Sequence, residues 1–214
     1  MKSREYKTNP FFLRNQYPVE GKYEFPIIKK EDINLDNLSL VPIAHIKGHV
    51  KPHLYQKGVH CFNDDFHFNA LYTYPNKYIR RLAKFRFACT PDNSCFLEMH
   101  LWKLIEQIGK SRWCGAHWQR HGIKVIPTVT WADPASFDFC FDGIEPKSIV
   151  AISTIGAYKN QRRFMYGYDA MLERITPSCI ICYDKPLHDM RGNILYVPYQ
   201  YPRNIATKQL FLPF

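Results

Sequence analysis

Acidic residues stand at the ends of several apolar, strand-like segments of this sequence. Clustered carboxylates bind a divalent cation, divide into acid and base through shifted pKa values, or cap the helices that follow. The predicted catalytic acids are Asp64, Asp65, Asp92 and Asp133. Three of them, Asp64, Asp92 and Asp133, are also the predicted ligands of Mg²⁺, the one cofactor that the pattern suggests.

Two of these acids also have a structural interpretation. Asp133 precedes Pro134, and Asp92 precedes Asn93 and Ser94, so both could cap a helix. Asp64 and Asp65 are harder to explain structurally, because adjacent acids within an apolar strand are costly unless they are paired or functional. Strand alternation lets one of the two face a given side.

A segment rich in small residues, 153–160, runs from a predicted strand into a predicted helix. Basic side chains near a helix start oppose the helix dipole, which indicates an anion such as phosphate at this position. No phosphate-binding glycine motif is present, so an ordinary basic loop is the alternative. The predicted substrate-binding residues are Ser153, Thr154, Gly156, Lys159 and Arg162, with Trp131 as a wall of the pocket.

Seven apolar runs are candidate strands, and the later ones are apolar nearly throughout, as in strands buried on both faces. They are 38–46, 59–68, 85–89, 124–131, 148–154, 178–183 and, less regular because of Pro198, 193–201. Between these strands, apolar residues with helical spacing predict helices at 97–108 and 164–175. Asn93 and Ser94 precede the first of these helices as cap candidates. A shorter helix is predicted at 77–84.

This alternation predicts an α/β fold with a mostly parallel sheet of six or seven strands. Two architectures remain open, an incomplete β/α barrel and a doubly wound sheet. In both, ligands bind beyond the carboxyl ends of the strands, which would bring the acids to one rim. Residues 1–37 show no period and predict an irregular amino-terminal arm, followed by a single domain at 38–214.

The net charge and the composition narrow the class of binding partner that we expect. The chain of 214 residues carries 29 lysines and arginines against 19 acids, a net charge of +10, which favours nucleic acid or nucleotide partners. No apolar run is long enough to span a bilayer and no signal peptide is evident, so we expect a cytoplasmic protein without membrane contact. The seven cysteines fit a reducing compartment, and several, including Cys179 and Cys182, are expected in the core.

Aromatic residues accompany basic ones, as at Tyr72, Tyr74 and Tyr78 before Arg80 and Arg81. Rings beside cations suit stacking on single-stranded nucleic acid. The alternative is that these rings seal the edge of the core.

Several of these motifs together resemble a family of bacterial and phage proteins, domain of unknown function 4417. The resemblance covers about 38–185 and is carried by 63–68 (NDDFHF), 90–92 (TPD), 118–119 (WQ), 122–131 (GIKVIPTVTW), 141–144 (FDGI) and 150–156 (VAISTIG). It implies a phage or mobile-element origin, and so the cytoplasm of a host bacterium, but no activity. Family members tend to have glycine after the tyrosine that corresponds to Tyr183, where this chain has Asp184. Asp184 is therefore a weaker candidate for a site residue.

Three functions remain open. The first is an enzyme, with hydrolysis one reaction in view, that acts on a phosphate-containing substrate through the strand-end acids. The second is a non-catalytic nucleic-acid-binding protein that uses its basic surface. The third is a phage accessory protein that binds a host factor through the arm and the tail 210–214.

Overall fold

The computed structural model describes residues 3–46, 48 and 50–199, so the tail 210–214 and the end of the candidate strand 193–201 lie outside the described residues. The α-helices of the described chain are α1 Ser3–Lys7, α2 Pro10–Leu13, α3 Asn69–Thr73, α4 Ile79–Leu82, α5 Leu101–Arg120 and α6 Gln161–Ile175. The strands are β1 Val19–Glu20, β2 Phe25–Pro26, β3 Leu40–Pro42, β4 Gly58–His60, β5 Phe87–Cys89, β6 Val125–Ile126, β7 Ile149–Ser153, β8 Cys179–Tyr183 and β9 Ile194–Val197.

Two parallel sheets form the centre of the fold. The first has four strands in the order β3-β4-β5-β6, and the second has three in the order β7-β8-β9. A parallel bridge between Thr128 and Ala151 joins them, with the Val129 amide donating to the Ala151 carbonyl at 2.9 Å. The prediction of a mostly parallel α/β fold is confirmed, although the seven strands are divided between two sheets.

The strand order favours an incomplete barrel over a doubly wound sheet. Neighbouring strands follow chain order throughout, whereas a doubly wound sheet reverses its order at a switch point. Leu40, Phe87, Ile126, Ala151 and Ile181, from both sheets, share one buried cluster. Among the described residues no ladder joins β9 to β3, so the barrel is open.

Two further apolar clusters lie between the sheets and the helices that pack on them. One packs the first sheet on α5 through Val59, Ala88 and Trp113. The other packs the second sheet on α6 through Ile180 and Met171. The strands are thus buried on both faces, and the prediction that Cys179 and Cys182 are core residues is confirmed.

Several predicted elements are shorter than their apolar patterns. The strand β4 ends at His60, and the following residues turn into a 3₁₀ helix at Asp65–His67. The placement of Asp64 and Asp65 within a strand was therefore wrong. Similarly, α5 begins at Leu101, and His100 occupies its N-cap position, so Asn93 and Ser94 do not cap it.

The amino-terminal arm packs on α5. The guanidinium of Arg14 lies 3.9 Å from the ring centroid of Trp113 and 4.2 Å from that of Tyr72. Such cation–π contacts help to hold the arm in place. The boundary at residue 37 stays a prediction. No helix of the described chain has the length and apolar character needed to cross a bilayer.

Candidate active site

A cleft of about 510 Å³ opens at the carboxyl ends of the parallel strands. Segments that follow β4, β5, β6, β7 and β9 all contribute to it, because parallel strands deliver their carboxyl ends to one side. Its lining includes Phe62, Asn63, Asp64, His67, Asp92, Ser94, Cys95, Phe96, Thr130, Trp131, Ser153, Ile155, Ala157, Phe164 and Tyr199. Of the sequence-predicted residues, the structure brings together Asp64, Asp92, Trp131 and Ser153.

Asp92 is the most perturbed acid of the cleft. It is half-buried, and among the described residues no hydrogen bond reaches its carboxylate. Burial, followed by the charge of Asp65, raises the pKa of Asp92 to about 7. Both protonation states are therefore populated near neutral pH.

Polar bonds behind Asp92 fix the end of β5. The Thr128 amide donates to the Thr90 hydroxyl oxygen at 2.8 Å, and the Thr128 hydroxyl donates to the Thr90 carbonyl at 2.7 Å. From α5, the Ser111 hydroxyl donates to the same Thr90 oxygen at 3.0 Å. The residue two positions before Asp92 is thus tied to β6 and to α5.

Asp65 anchors the segment after Asp92 rather than lining the cleft. Its carboxylate accepts from the Ser94 hydroxyl at 2.8 Å, from the Ser94 amide at 3.2 Å and from the Gln107 side chain at 3.1 Å. Asn93 also donates, to the Gln107 carbonyl at 3.0 Å. Asp65 is therefore a positioning residue, and its negative charge acts on Asp92.

Asp64 is exposed and lines the cleft beside Asp92. It precedes the 3₁₀ helix Asp65–His67 without forming a side-chain cap bond. His67, at the end of the same helix, also lines the cleft. This segment thus brings an imidazole, and a carboxylate that accepts no hydrogen bond from the described residues, to the mouth of the barrel.

Asp133 is engaged elsewhere. Its carboxylate accepts the Ser136 amide at 3.2 Å and caps the 3₁₀ helix Pro134–Asp138. Among the described residues no group of three histidine, cysteine, aspartate or glutamate side chains has a metal-binding arrangement. The structure therefore does not assemble Asp64, Asp92 and Asp133 into one set of ligands, and the structural interpretation of Asp133 holds.

Trp131 forms a wall of the cleft. Its ring centroid lies 5.0 Å from that of Phe164 on α6. A Cβ atom at Gly167, one turn further along α6, would collide with the Trp131 indole, so the glycine permits this close packing.

The segment predicted to contact phosphate is divided. Ser153 lines the cleft, and its hydroxyl oxygen accepts the Ile155 amide at 3.1 Å. Thr154 is buried and donates to the Lys185 carbonyl at 2.9 Å, so it does not face the cleft. Gly156, with φ of 82°, precedes the 3₁₀ helix Ala157–Asn160. Lys159 and Arg162 are exposed beyond the lining residue Ala157.

Cys95 also lines the cleft but is a poor nucleophile. Burial is the main cause that raises the pKa of its thiol to about 12, so the reactive thiolate is scarce at neutral pH. Sequence reasoning predicted the Trp131 wall but missed Asn63, His67 and the other aromatic walls. Asn63 and His67 lie within the 63–68 motif, while the distant rings had no local signal.

His60 lies inside the barrel, below the cleft. Its Nδ1 accepts the Phe62 amide at 3.2 Å, and its ring centroid lies 4.5 Å from that of Tyr183. Burial, then the charge of His45, lowers the pKa of His60 to about 3, so the ring is neutral. His60 thereby connects the first sheet to the second through uncharged ring packing.

Comparisons with known proteins confirm the resemblance seen in the sequence. The chain is 39% identical over 179 residues to the Gene 1 protein of Mycobacterium phage L5, which covers 82% of this chain and 77% of that protein. It is 32% identical over 176 residues to the Gene 1 protein of Mycobacterium phage D29, covering 81% of this chain and 64% of that protein. The chain thus spans a little under two thirds of the D29 protein.

No solved structure matches this chain significantly. The model of the family described as Domain of unknown function (DUF4417) matches residues 17–202, which includes every residue of the cleft. The match begins within the predicted arm and ends beyond residue 185, so it extends the resemblance at both ends. The chain therefore belongs to the DUF4417 family, and the two relatives compared above are phage proteins.

Proposed function

We propose that this chain is a phage or mobile-element enzyme that acts on a nucleic acid or nucleotide by general acid–base catalysis in the strand-end cleft. Asp92 is the proton donor or acceptor, and Asp64 and His67 are the neighbouring polar groups. The observation that carries the proposal is the convergence of these three side chains with aromatic walls in one cleft.

The chemistry of Asp92 supports its assignment. A catalytic acid or base works best when its pKa lies near the working pH, and the pKa of Asp92 is raised to about 7. Cys95 is a weak alternative because its thiol pKa is about 12. The assignment therefore favours proton transfer over attack by a cysteine.

The proposed substrate class is based on the net charge of the chain and on the phage origin of its relatives. A net charge of +10 attracts phosphate-bearing partners, and the relatives compared above belong to phages. Mg²⁺ binding is the alternative role of Asp64 and Asp92, which would then hold the ion together with water instead of transferring a proton, because Mg²⁺ commonly takes one or two protein carboxylates and keeps several waters. Asp133 is not included in this set.

The test is a defined panel of nucleoside monophosphates, nucleoside triphosphates, single-stranded DNA and RNA oligonucleotides and a DNA duplex. Each is incubated with the purified protein, with Mg²⁺ or with EDTA, and products are identified by mass spectrometry. We expect conversion of at least one member by the wild-type protein and its loss in Asp92→Asn. Failure to convert any member, or equal rates for both proteins, would contradict the proposal.

A second candidate function is non-catalytic binding of single-stranded nucleic acid. It is favoured by strongly exposed rings near the cleft, Phe66 at 70% and Phe96 at 59% exposure, which bases could stack on. This function predicts binding that weakens steeply with salt and is unchanged in Asp92→Asn. Product formation that depends on Asp92 would reject it.

A further inference from the structure

We infer that the cleft receives the base of a nucleotide, while the sugar–phosphate chain stays outside against the start of α6. The inference rests on the proposed function and names the part of the substrate that enters. It follows from the charge of the lining, its aromatic walls, an unpartnered polar atom and the position of nearby cations.

The lining has the wrong charge for phosphate. Asp64 and Asp92 both line the cleft, and among its described lining residues there is no lysine or arginine. A phosphate group placed here would be repelled by carboxylate and would find no cation to pair with. An uncharged base carries no such penalty.

The walls suit a flat aromatic ligand. Phe62, Phe96, Trp131, Phe164 and Tyr199 supply rings from five separate segments. Stacking of a base on an aromatic side chain contributes substantially to binding and depends little on which base is present. The rings therefore accommodate a base in a cleft of about 510 Å³.

Unused acceptors point to a ligand with N–H donors. Asn63 lines the cleft, and its Oδ1 is buried without a hydrogen-bond partner. Asp92, in the same cleft, receives no hydrogen bond from the described residues. Leaving such groups unpaired is costly. The amino and ring N–H groups of a base can supply the missing hydrogen bonds.

Cations stand just outside the cleft. Ala157 lines it, and the exposed side chains of Lys159, Arg162 and Arg163 follow in the first turns of the adjoining helices. Phosphates at this rim would meet these cations. For a nucleic acid substrate, this arrangement requires a base turned out of a duplex or offered by a single strand.

The experiment measures binding separately from turnover, using Asp92→Asn, which keeps one acceptor oxygen at this position, so that the probe is not consumed. The probe is a fluorescein-labelled single-stranded DNA 12-mer containing all four bases. The competitors are the four free nucleosides, ribose 5-phosphate, inorganic phosphate and an abasic oligonucleotide of equal length. We expect at least one nucleoside to compete, the abasic strand to bind at least about tenfold more weakly than the probe, and both phosphates to be ineffective.

Variants separate the two parts of the site. Asn63→Leu, which removes no side-chain hydrogen bond to a described residue, should weaken nucleoside binding about tenfold, and Trp131→Ala should do the same. Lys159→Ala combined with Arg162→Ala should weaken oligonucleotide binding and flatten its salt dependence while leaving nucleoside binding intact. Lys29→Ala combined with Lys30→Ala, in the arm, is the charge-matched control.

Two outcomes would overturn the inference: an abasic strand that binds as tightly as the probe, or ribose 5-phosphate that competes as well as nucleosides. These outcomes are distinct from failure of the proposed function. Base-dependent binding without any turnover would reject catalysis alone. Turnover with base-independent binding would reject this inference alone.

Discussion

The segments after β5 and β6 offer a direct comparison, because each carries an aspartate followed by proline or small polar residues. After β6, Asp133 accepts the Ser136 amide, and the Ser136 hydroxyl donates back to the Asp133 carbonyl at 2.6 Å. After β5, the polar groups of Ser94 go to Asp65 instead. Asp92 is left in the cleft without such bonds. An acid is thus available for chemistry when the residues that follow it do not fold back onto it.

The largest expected difference between the two acids is in turnover. Asp92→Asn should lower the rate of product formation by about 10³-fold, within the usual range for loss of a general acid or base. Asp133→Asn should stay within about threefold of wild type, since asparagine also caps helices well. The measurement is initial rate by mass spectrometry on whichever panel member the wild-type protein converts. Equal losses in both variants would remove the distinction.

The second difference is in the pH dependence of stability. The folded-state pKa of Asp92 is about 7 against an ordinary 3.8, so the contribution of Asp92 to the stability of the wild-type protein falls as pH rises from about 4 to about 7. At pH 8, Asp92→Asn should raise the free energy of unfolding by about 2 kcal/mol, less than the ~4 kcal/mol equivalent to the full pKa shift, because solvent screens a partly exposed group.

This gain should disappear below about pH 4, where Asp92 is protonated in both states. The buried His60 contributes equally to both proteins, so its effect cancels in the difference. Urea denaturation at pH 4, 6 and 8 measures the quantity. A gain of the same size at all three pH values would show that ionisation of Asp92 is not its cause.

The third difference concerns the hydrogen bond by which Asp133 caps the 3₁₀ helix Pro134–Asp138. Asp133→Ala removes the bond to the Ser136 amide and should lower the free energy of unfolding by about 1 kcal/mol. Asp133→Asn is the matched control, with little expected loss. Thermal or urea denaturation at pH 7 distinguishes the two. Equal stability of the alanine variant and the wild type would mean that the cap contributes nothing.

The smallest expected effect links Asp65 to Asp92. Asp65→Asn removes a charge that raises the pKa of Asp92, so that pKa should fall, by less than burial raises it because burial is the larger cause. The measurement is an NMR titration of the Asp92 carboxyl carbon. Ser94→Ala is the control, since it removes a hydrogen bond to Asp65 but keeps the charge. A pKa for Asp92 that is unchanged or higher in Asp65→Asn would refute the coupling.

Prediction from sequence worked best where a pattern has one structural solution. The apolar runs at 148–154 and 178–183 became β7 and β8, because runs without a polar face suit strands buried on both sides. Parallel pairing then placed Asp92, Trp131 and Ser153 on one rim. Strand ends were less predictable. The pattern around Asp64 and Asp65 continued as apolar, yet the chain turned into a 3₁₀ helix after β4.

The amino-acid sequence by itself determined the parallel α/β arrangement, the basic charge and the delivery of carboxylates to one side, because hydrophobic period and composition are local properties. The tertiary structure decided which acid is available. Asp133 is satisfied by its own turn, Asp65 by Ser94 and Gln107, and Asp92 by no described residue. The partners of Asp65 come from distant segments, and the desolvation that raises the pKa of Asp92 depends on how distant segments pack around it.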